Sequence, residues 1–240
     1  MHRNTLAFVI AAAIGGFIAG FWLANSINRN AAPIATAPVA SNSAPTSPPD
    51  ADLTDAEIRG KIVEADKNPT NLTFQRDLGV SLYRYAAMKQ DVVLLADAAR
   101  ILERASSLDS KNFDVVVALG NAHFDIGFYK KDAASFQMAR GVYSKALAIK
   151  PSDADVATDH GLTFLLQEPP DYVKAATELE RVSNANPKHD RSLQFLVQAY
   201  AKQGKMPDAE KTLEKLKAIN PNNPAIKDLM AIIASPGAAK

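Results

Sequence analysis

The chain of 240 residues has no cysteine, one tryptophan and four histidines. Without cysteine there is no disulfide scaffold, thiolate metal site, thiol nucleophile or cysteine-linked lipid anchor. The few histidines leave little for acid–base chemistry, and no His-x3-His or His/Glu pair stands at metal-binding helical spacing. Charge of one sign is also lacking. The 27 basic and 26 acidic residues give a net +1, whereas a nucleic-acid surface asks for a basic face. There is no Walker loop, dinucleotide fingerprint, nucleophile elbow or paired-carboxylate constellation. These absences predict a non-enzyme with no catalytic residues, cofactor, metal or nucleic-acid partner.

Charge is missing locally as well. Thr5 to Ala24 is a run of 20 residues without one. At about 1.5 Å per residue it spans roughly 30 Å, the thickness of a bilayer core. Trp22 sits near its end, where an amphipathic ring favours the interface. The run is longer than a signal-peptide core, and the first small-x-small triplet, Ala35-Thr36-Ala37, lies far downstream and precedes Pro38. The expectation for residues 1–30 is an uncleaved single-pass anchor of the inner membrane. Arg3 lies before the run and Arg29 after it, with no further base until Arg59. The positive-inside tendency then leaves the bulk of the chain outside the cytoplasm, in the periplasm of a bacterial envelope. Gly16 and Gly20 form a small-xxx-small pair of the kind that packs two anchors into a homodimer, although glycine is common in membrane helices anyway.

Residues 31–53 are rich in Ala, Pro, Ser and Thr and offer nothing to build a core. They read as a disordered or polyproline-like linker, reaching ~70 Å at ~3.1 Å per residue. From Thr54 the pattern turns helical. Thr54-Asp55-Ala56-Glu57 has capping-box spacing, and Ile58, Ile62 and Val63 form an apolar stripe up to Asn68-Pro69. Residues 54–69 are expected to form an N-terminal capping helix for the remainder of the chain.

Beyond Pro69 the sequence repeats. Leu78-Gly79, Leu119-Gly120 and His160-Gly161 recur at intervals of 41. Prolines close units at Pro69, Pro151, Pro187 and Pro221. The second part of each unit carries a spaced triplet: Ala98, Leu102, Ala105; Ala139, Tyr143, Ala146; Ala175, Leu179, Val182; and Ala209, Leu213, Leu216. This pattern resembles the tetratricopeptide repeat family, whose units of about 34 residues form two antiparallel helices. The unit from Asp190 to Asn223 fits without insertion. The unit from Ala154 has two extra residues, and the units from Leu72 and Phe113 have seven each, enough to lengthen both helices.

The resemblance implies an all-α fold: a right-handed α-solenoid of about four hairpins over residues 70–223, divided as 72–112, 113–153, 154–189 and 190–223. The glycines and small residues of the motif permit close helix packing, and stacking supplies the core that no hairpin buries alone. Residues 224–240, with Ile226, Leu229, Met230 and Ile233, read as a terminal capping helix and tail.

In that family the first helices line a concave groove. The matching positions here are Thr73, Arg76, Val80, Tyr83 and Arg84; Asp114, Val117, Asn121, Phe124 and Asp125; Asp155, Thr158, Leu162, Leu165 and Leu166; and Arg191, Gln194, Gln198, Ala201 and Lys202. They imply a groove with polar ends and an apolar middle, suited to a protein or peptide partner. Alternatively, Leu162, Leu165 and Leu166 pack against neighbouring helices. Some family members clamp a terminal carboxylate, and Arg76 and Asn121 occupy two such positions. Val80, Asp155 and Asp159 depart from that pattern, and two aspartates repel a carboxylate. His123, His160 and His189 read as structural. The functional expectation is a membrane-tethered scaffold or adaptor that assists assembly of an envelope complex. Tethered tetratricopeptide factors of cytochrome c maturation, which present apocytochrome, have the same layout. A self-associating structural spacer is the remaining alternative.

Overall fold

The computed structural model describes residues 54–234, in which ten helices and no strand are found. The candidate anchor at 5–24, its Gly16/Gly20 pair, the linker 31–53 and the tail 235–240 lie outside the described residues. Among the described residues no helix is long and apolar enough to cross a membrane.

Helix α1 (Asp55–Lys67) belongs to a first compact unit, and the remaining helices form a second. The capping box at its start is present: the Glu57 amide donates to Thr54 Oγ1, and Glu57 accepts from the Thr54 amide at 2.8 Å. Ile58, Ile62 and Ala65 are buried. Val63, expected in the same stripe, is instead 50% exposed, because the buried spacing runs four and then three residues through Ala65.

The second unit is a run of hairpins: α2 (Leu72–Lys89) with α3 (Val92–Leu108), α4 (Phe113–Lys130) with α5 (Ala133–Ile149), α6 (Ala154–Leu166) with α7 (Tyr172–Ala185), and α8 (Asp190–Lys202) with α9 (Met206–Ile219). A final helix, α10 (Ile226–Ala234), packs on α8 and α9. Short polar side chains start most of these helices. Asp91 and Asp132 each accept two backbone amides, and Asn112, Asp153 and Asp171 accept one each.

The same turn ends every second helix. The amides of Asn112, Asp153, His189 and Asn223 bond to the carbonyls of Asp109, Lys150, Asn186 and Asn220. Lys150, Asn186 and Asn220 precede proline and take φ of −128°, −132° and −144°, the extended region that a following proline favours. Asp109 reaches φ −139° without a proline, its carboxylate accepting from the Lys111 amide. Pro151, Pro187 and Pro221 are exposed, so they end helices without contributing to the core. The extra residues of the first two units extend both helices. α2 and α4 have 18 residues against 13 in α6 and α8, and α3 and α5 have 17 against 14 in α7 and α9.

Close approach within hairpins is set by residue size. Ala98, Ala139, Ala146, Ala175 and Ala209 are fully buried. A Cβ added at Gly79 would lie 2.9 Å from Leu102, at Gly120 2.6 Å from the Tyr143 ring, and at Gly161 3.2 Å from Leu179. Each partner is the middle member of a second-helix triplet, so glycine and triplet form one packing device.

Candidate interaction surface

The first helices α2, α4, α6 and α8 each contact the next, besides packing on second helices. They therefore form a continuous inner layer, the place expected for the groove. Packing has claimed much of it. Tyr83, Phe124, Leu162 and Leu165 are buried, which places Leu162 and Leu165 among core residues rather than in an open apolar groove. Asn121, Asp125, Thr158, Arg191, Gln194 and Ala201 are buried as well. Thr73, Arg84 and Asp114 are exposed, and Arg76, Val80, Val117, Asp155, Leu166, Gln198 and Lys202 are half-buried. The layer thus presents a mainly polar surface. Burial pushes the Lys202 ammonium below its ordinary pKa, and Arg76 pairs with its neighbour Asp77 at 2.7 Å.

The buried polar groups are joined. Tyr143 from α5 donates its hydroxyl to Asn121 Oδ1 of α4 at 2.8 Å, inside the core. Arg191, at the start of α8, is ion-paired to Asp159 of α6, with side-chain exposures of 5% and 0%. Arg191 also lies 3.6 Å from Asp155, and His189 Nε2 lies 3.5 Å from the same carboxylate. The two aspartates read from sequence as repelling an anionic ligand are therefore matched within the fold. A cation in a first helical turn opposes the helix dipole, so Asp159 compensates an unfavourable placement. His189, read as a structural residue after a proline, is the N-cap of α8, accepting from the Ser192 amide at Nδ1.

On the opposite side, second helices surround two half-buried histidines. His123 and His160 are held below the ordinary imidazole pKa mainly by burial, which Glu103 and Glu178 respectively oppose. His160 stacks edge-on against Phe164, 5.7 Å between centroids. Arg140 of α5 lies 4.5 Å over that phenyl ring and donates to Thr163 Oγ1 and Gln167 Oε1 at 3.3 and 3.0 Å. Burial lowers the pKa of its guanidinium. Sequence reasoning passed over Arg140, although a signal existed: no acid stands three or four residues from it, unlike Arg100, Lys174 and Arg181. Gln167, Pro169, Pro170, Asp171, Tyr172, Val173 and Gln203 line a shallow open cavity at the α6–α7 turn, whose Glu168–Pro169 peptide is cis. Gln203 spans to the neighbouring hairpin, donating to the Tyr172 carbonyl at 2.8 Å. Among the described residues no group of three or more His, Asp or Glu side chains is placed to hold a metal ion.

Residues 168–233 match the tetratricopeptide repeat model. No curated protein matches the chain. The crystal structure of MamA is similar over 70% of this chain and 82% of its own, at 23% identity and a TM-score of 0.54. TTC0263, a thermophilic tetratricopeptide repeat protein of Thermus thermophilus, matches over 76% of this chain and 89% of its own, at 18% identity and a TM-score of 0.52. At such identities the likeness establishes the fold: a tetratricopeptide-like array of helical hairpins.

Proposed function

We propose, on the premise of a tetratricopeptide array, that this protein is a membrane-tethered, non-catalytic scaffold whose first-helix layer binds a protein or peptide partner. The observation that carries the reading is that layer itself. Four first helices stand side by side, and the exposed or half-buried polar side chains of Arg84, Arg76, Gln198 and Lys202 lie along them. Arrays of this kind offer extended concave surfaces because each repeat turns slightly against the last. The charge-free run from Thr5 to Ala24 supports tethering, and the residues on either side of it support display of the array outside the cytoplasm.

The test is a pull-down from membranes with the intact chain, compared with Arg84→Glu and Lys202→Glu. A partner retained by the wild type and lost with both reversals is the expected result. Retention by both variants would remove the first-helix layer from binding. A reporter fused after Lys240 checks orientation: activity confined to the cytoplasm contradicts display of the array outside it.

A further inference from the structure

Helix α5 differs from the other helices of the array in its charge. It contains no Asp or Glu, yet it carries Arg140 and Lys145, with Lys130, Lys131 and Lys150 beside its ends. The nearest acid at its start, Asp132, is committed to capping, its carboxylate held low by the Ser135 hydroxyl and the Ala134 amide. A chain of net +1 thus concentrates positive charge on one outward helix. Among the described residues no carboxylate lies at ion-pair distance from Arg140 or Lys145. Arg140 is partly desolvated, with hydrogen bonds to Thr163 and Gln167 and the Phe164 ring beneath it but no contacting counter-charge, so an added carboxylate would be favourable there. Of the acids of the facing hairpin, Asp171 acts on Arg140 only through space and is paired with Lys174 at 3.2 Å, Glu178 is paired with Arg181 at 3.1 Å, and Glu168 lies 4.0 Å from Lys131.

The outward side of α5 is also shaped for contact. Met138 is 48% exposed, and Ala134, Gly141, Ser144 and Ala148 around it are small and at the surface or close to it. Gly141 has no role in the chain's own packing: a Cβ added there meets nothing within 4 Å, in contrast to Gly79, Gly120 and Gly161. A glycine inside a helix weakens it, and close approach of another backbone is one reason to keep one there.

We propose that α5 is a second docking face of the array, taking an acidic amphipathic helix of a partner protein. Its apolar side lies on Met138 and Gly141, and its carboxylates meet Arg140 and Lys145. Charge complementarity selects the occupant: α5 offers cations without acids, and the apolar, uncharged centre fits a helix better than a nucleic-acid backbone. The inference rests on the reading of the protein as a binding scaffold but concerns a different face.

The test pans a display library of random peptides on the full chain in detergent micelles. Winners are resynthesised with amidated C-termini and measured by fluorescence anisotropy. Carboxylates spaced one helical turn apart beside apolar residues are expected. Affinity should fall roughly tenfold in Arg140→Gln and in Lys145→Gln, the usual scale for losing one interfacial charge pair. Lys145 is exposed, so its variant keeps the test valid if Arg140→Gln loosens the fold. Gly141→Ala should raise the melting temperature while Gly141→Leu abolishes binding. Peptides without acidic bias, equal affinity for these variants, or a requirement for a free C-terminus would each overturn the proposal. So would tighter, α5-dependent binding to phosphatidylglycerol vesicles or oligo-dT. Winners sensitive to Arg84→Gln and Lys202→Gln but not to the α5 variants would leave the scaffold reading standing and this one refuted.

Discussion

The two long hairpins, α2 to α5, and the two short ones, α6 to α9, are closed by different means. In the long pair the decisive contacts are steric. Gly79 and Gly120 bring second helices so near that a methyl group would stand 2.9 Å from Leu102 and 2.6 Å from Tyr143. In the short pair Gly161 leaves 3.2 Å, and the seam between hairpins is polar. Arg191 is paired with Asp159, His189 and Arg191 approach Asp155, Tyr200 donates to Glu180, and Gln203 donates to Tyr172. The longer helices run further alongside their hairpin partners, whereas the shorter ones gain specificity from side chains that reach across.

The largest expected effect breaks the polar seam. Arg191→Met leaves Asp159 buried without its cation, and such losses cost about 3–5 kcal/mol. Thermal denaturation should shift down on the order of 10 °C, and replacing both Arg191 and Asp159 by leucine should recover most of it. Failure of the double variant to recover would contradict the view that loss of the cation beside Asp159 is the penalty.

The next effect sharpens the steric side. Gly120→Ala must displace an aromatic ring fixed by its hydrogen bond to Asn121, and overpacking of this kind costs about 1–3 kcal/mol. Gly161→Ala meets the flexible Leu179 at 3.2 Å and Glu178 Cβ at an ordinary 3.4 Å, and the helix propensity of alanine offsets much of that strain. Chemical denaturation of the two variants should rank Gly120→Ala well below Gly161→Ala; a bulky residue at Gly161 should still lower the melt. Equal stabilities would show that the glycines do not distinguish the two pairs.

Tyr143→Phe is milder. It leaves Asn121 Oδ1 buried without its donor, for roughly 1–2 kcal/mol. If urea melts of the variant match wild type, that bond does not tie the long hairpin together.

The smallest effect is acid sensitivity. Burial holds the native pKa of His123 and His160 below the ordinary 6.5. As pH falls through 6.5 the unfolded chain takes protons first. Stability is therefore full above that pH and declines as pH drops toward the lowered native values. Melting curves should show this decline in wild type and a flatter profile in His123→Gln with His160→Gln.

Much of the fold could be read from residue pattern. The capping box at Thr54, the pre-proline stops and the glycine–triplet register are local signals, and each appears as a helix end or a packed contact. The surface was less legible for a geometric reason. A second helix such as α9 buries four of its fourteen residues, so its periodicity identifies one inward stripe. α8 buries ten of thirteen, being flanked by α7, α9, α6 and α10. With burial almost all round, spacing alone could not separate Leu162 or Phe124 in the core from Gln198 or Lys202 at the surface. The Arg191–Asp159 pair joins residues 32 apart in sequence, beyond any helical rule. Histidine is also an uncommon N-cap, which hid the role of His189.

The most direct test of the central claim, that the first-helix layer holds the partner, is site-specific photocrosslinking in intact membranes. A photoreactive amino acid is placed in turn at Arg84, Gln198 and Lys202, and at Glu210 and Lys211 on the exposed side of α9. The account predicts one shared crosslinked protein from the three first-helix positions and none from the α9 positions. The same adduct from α9 and not from the first helices would contradict it.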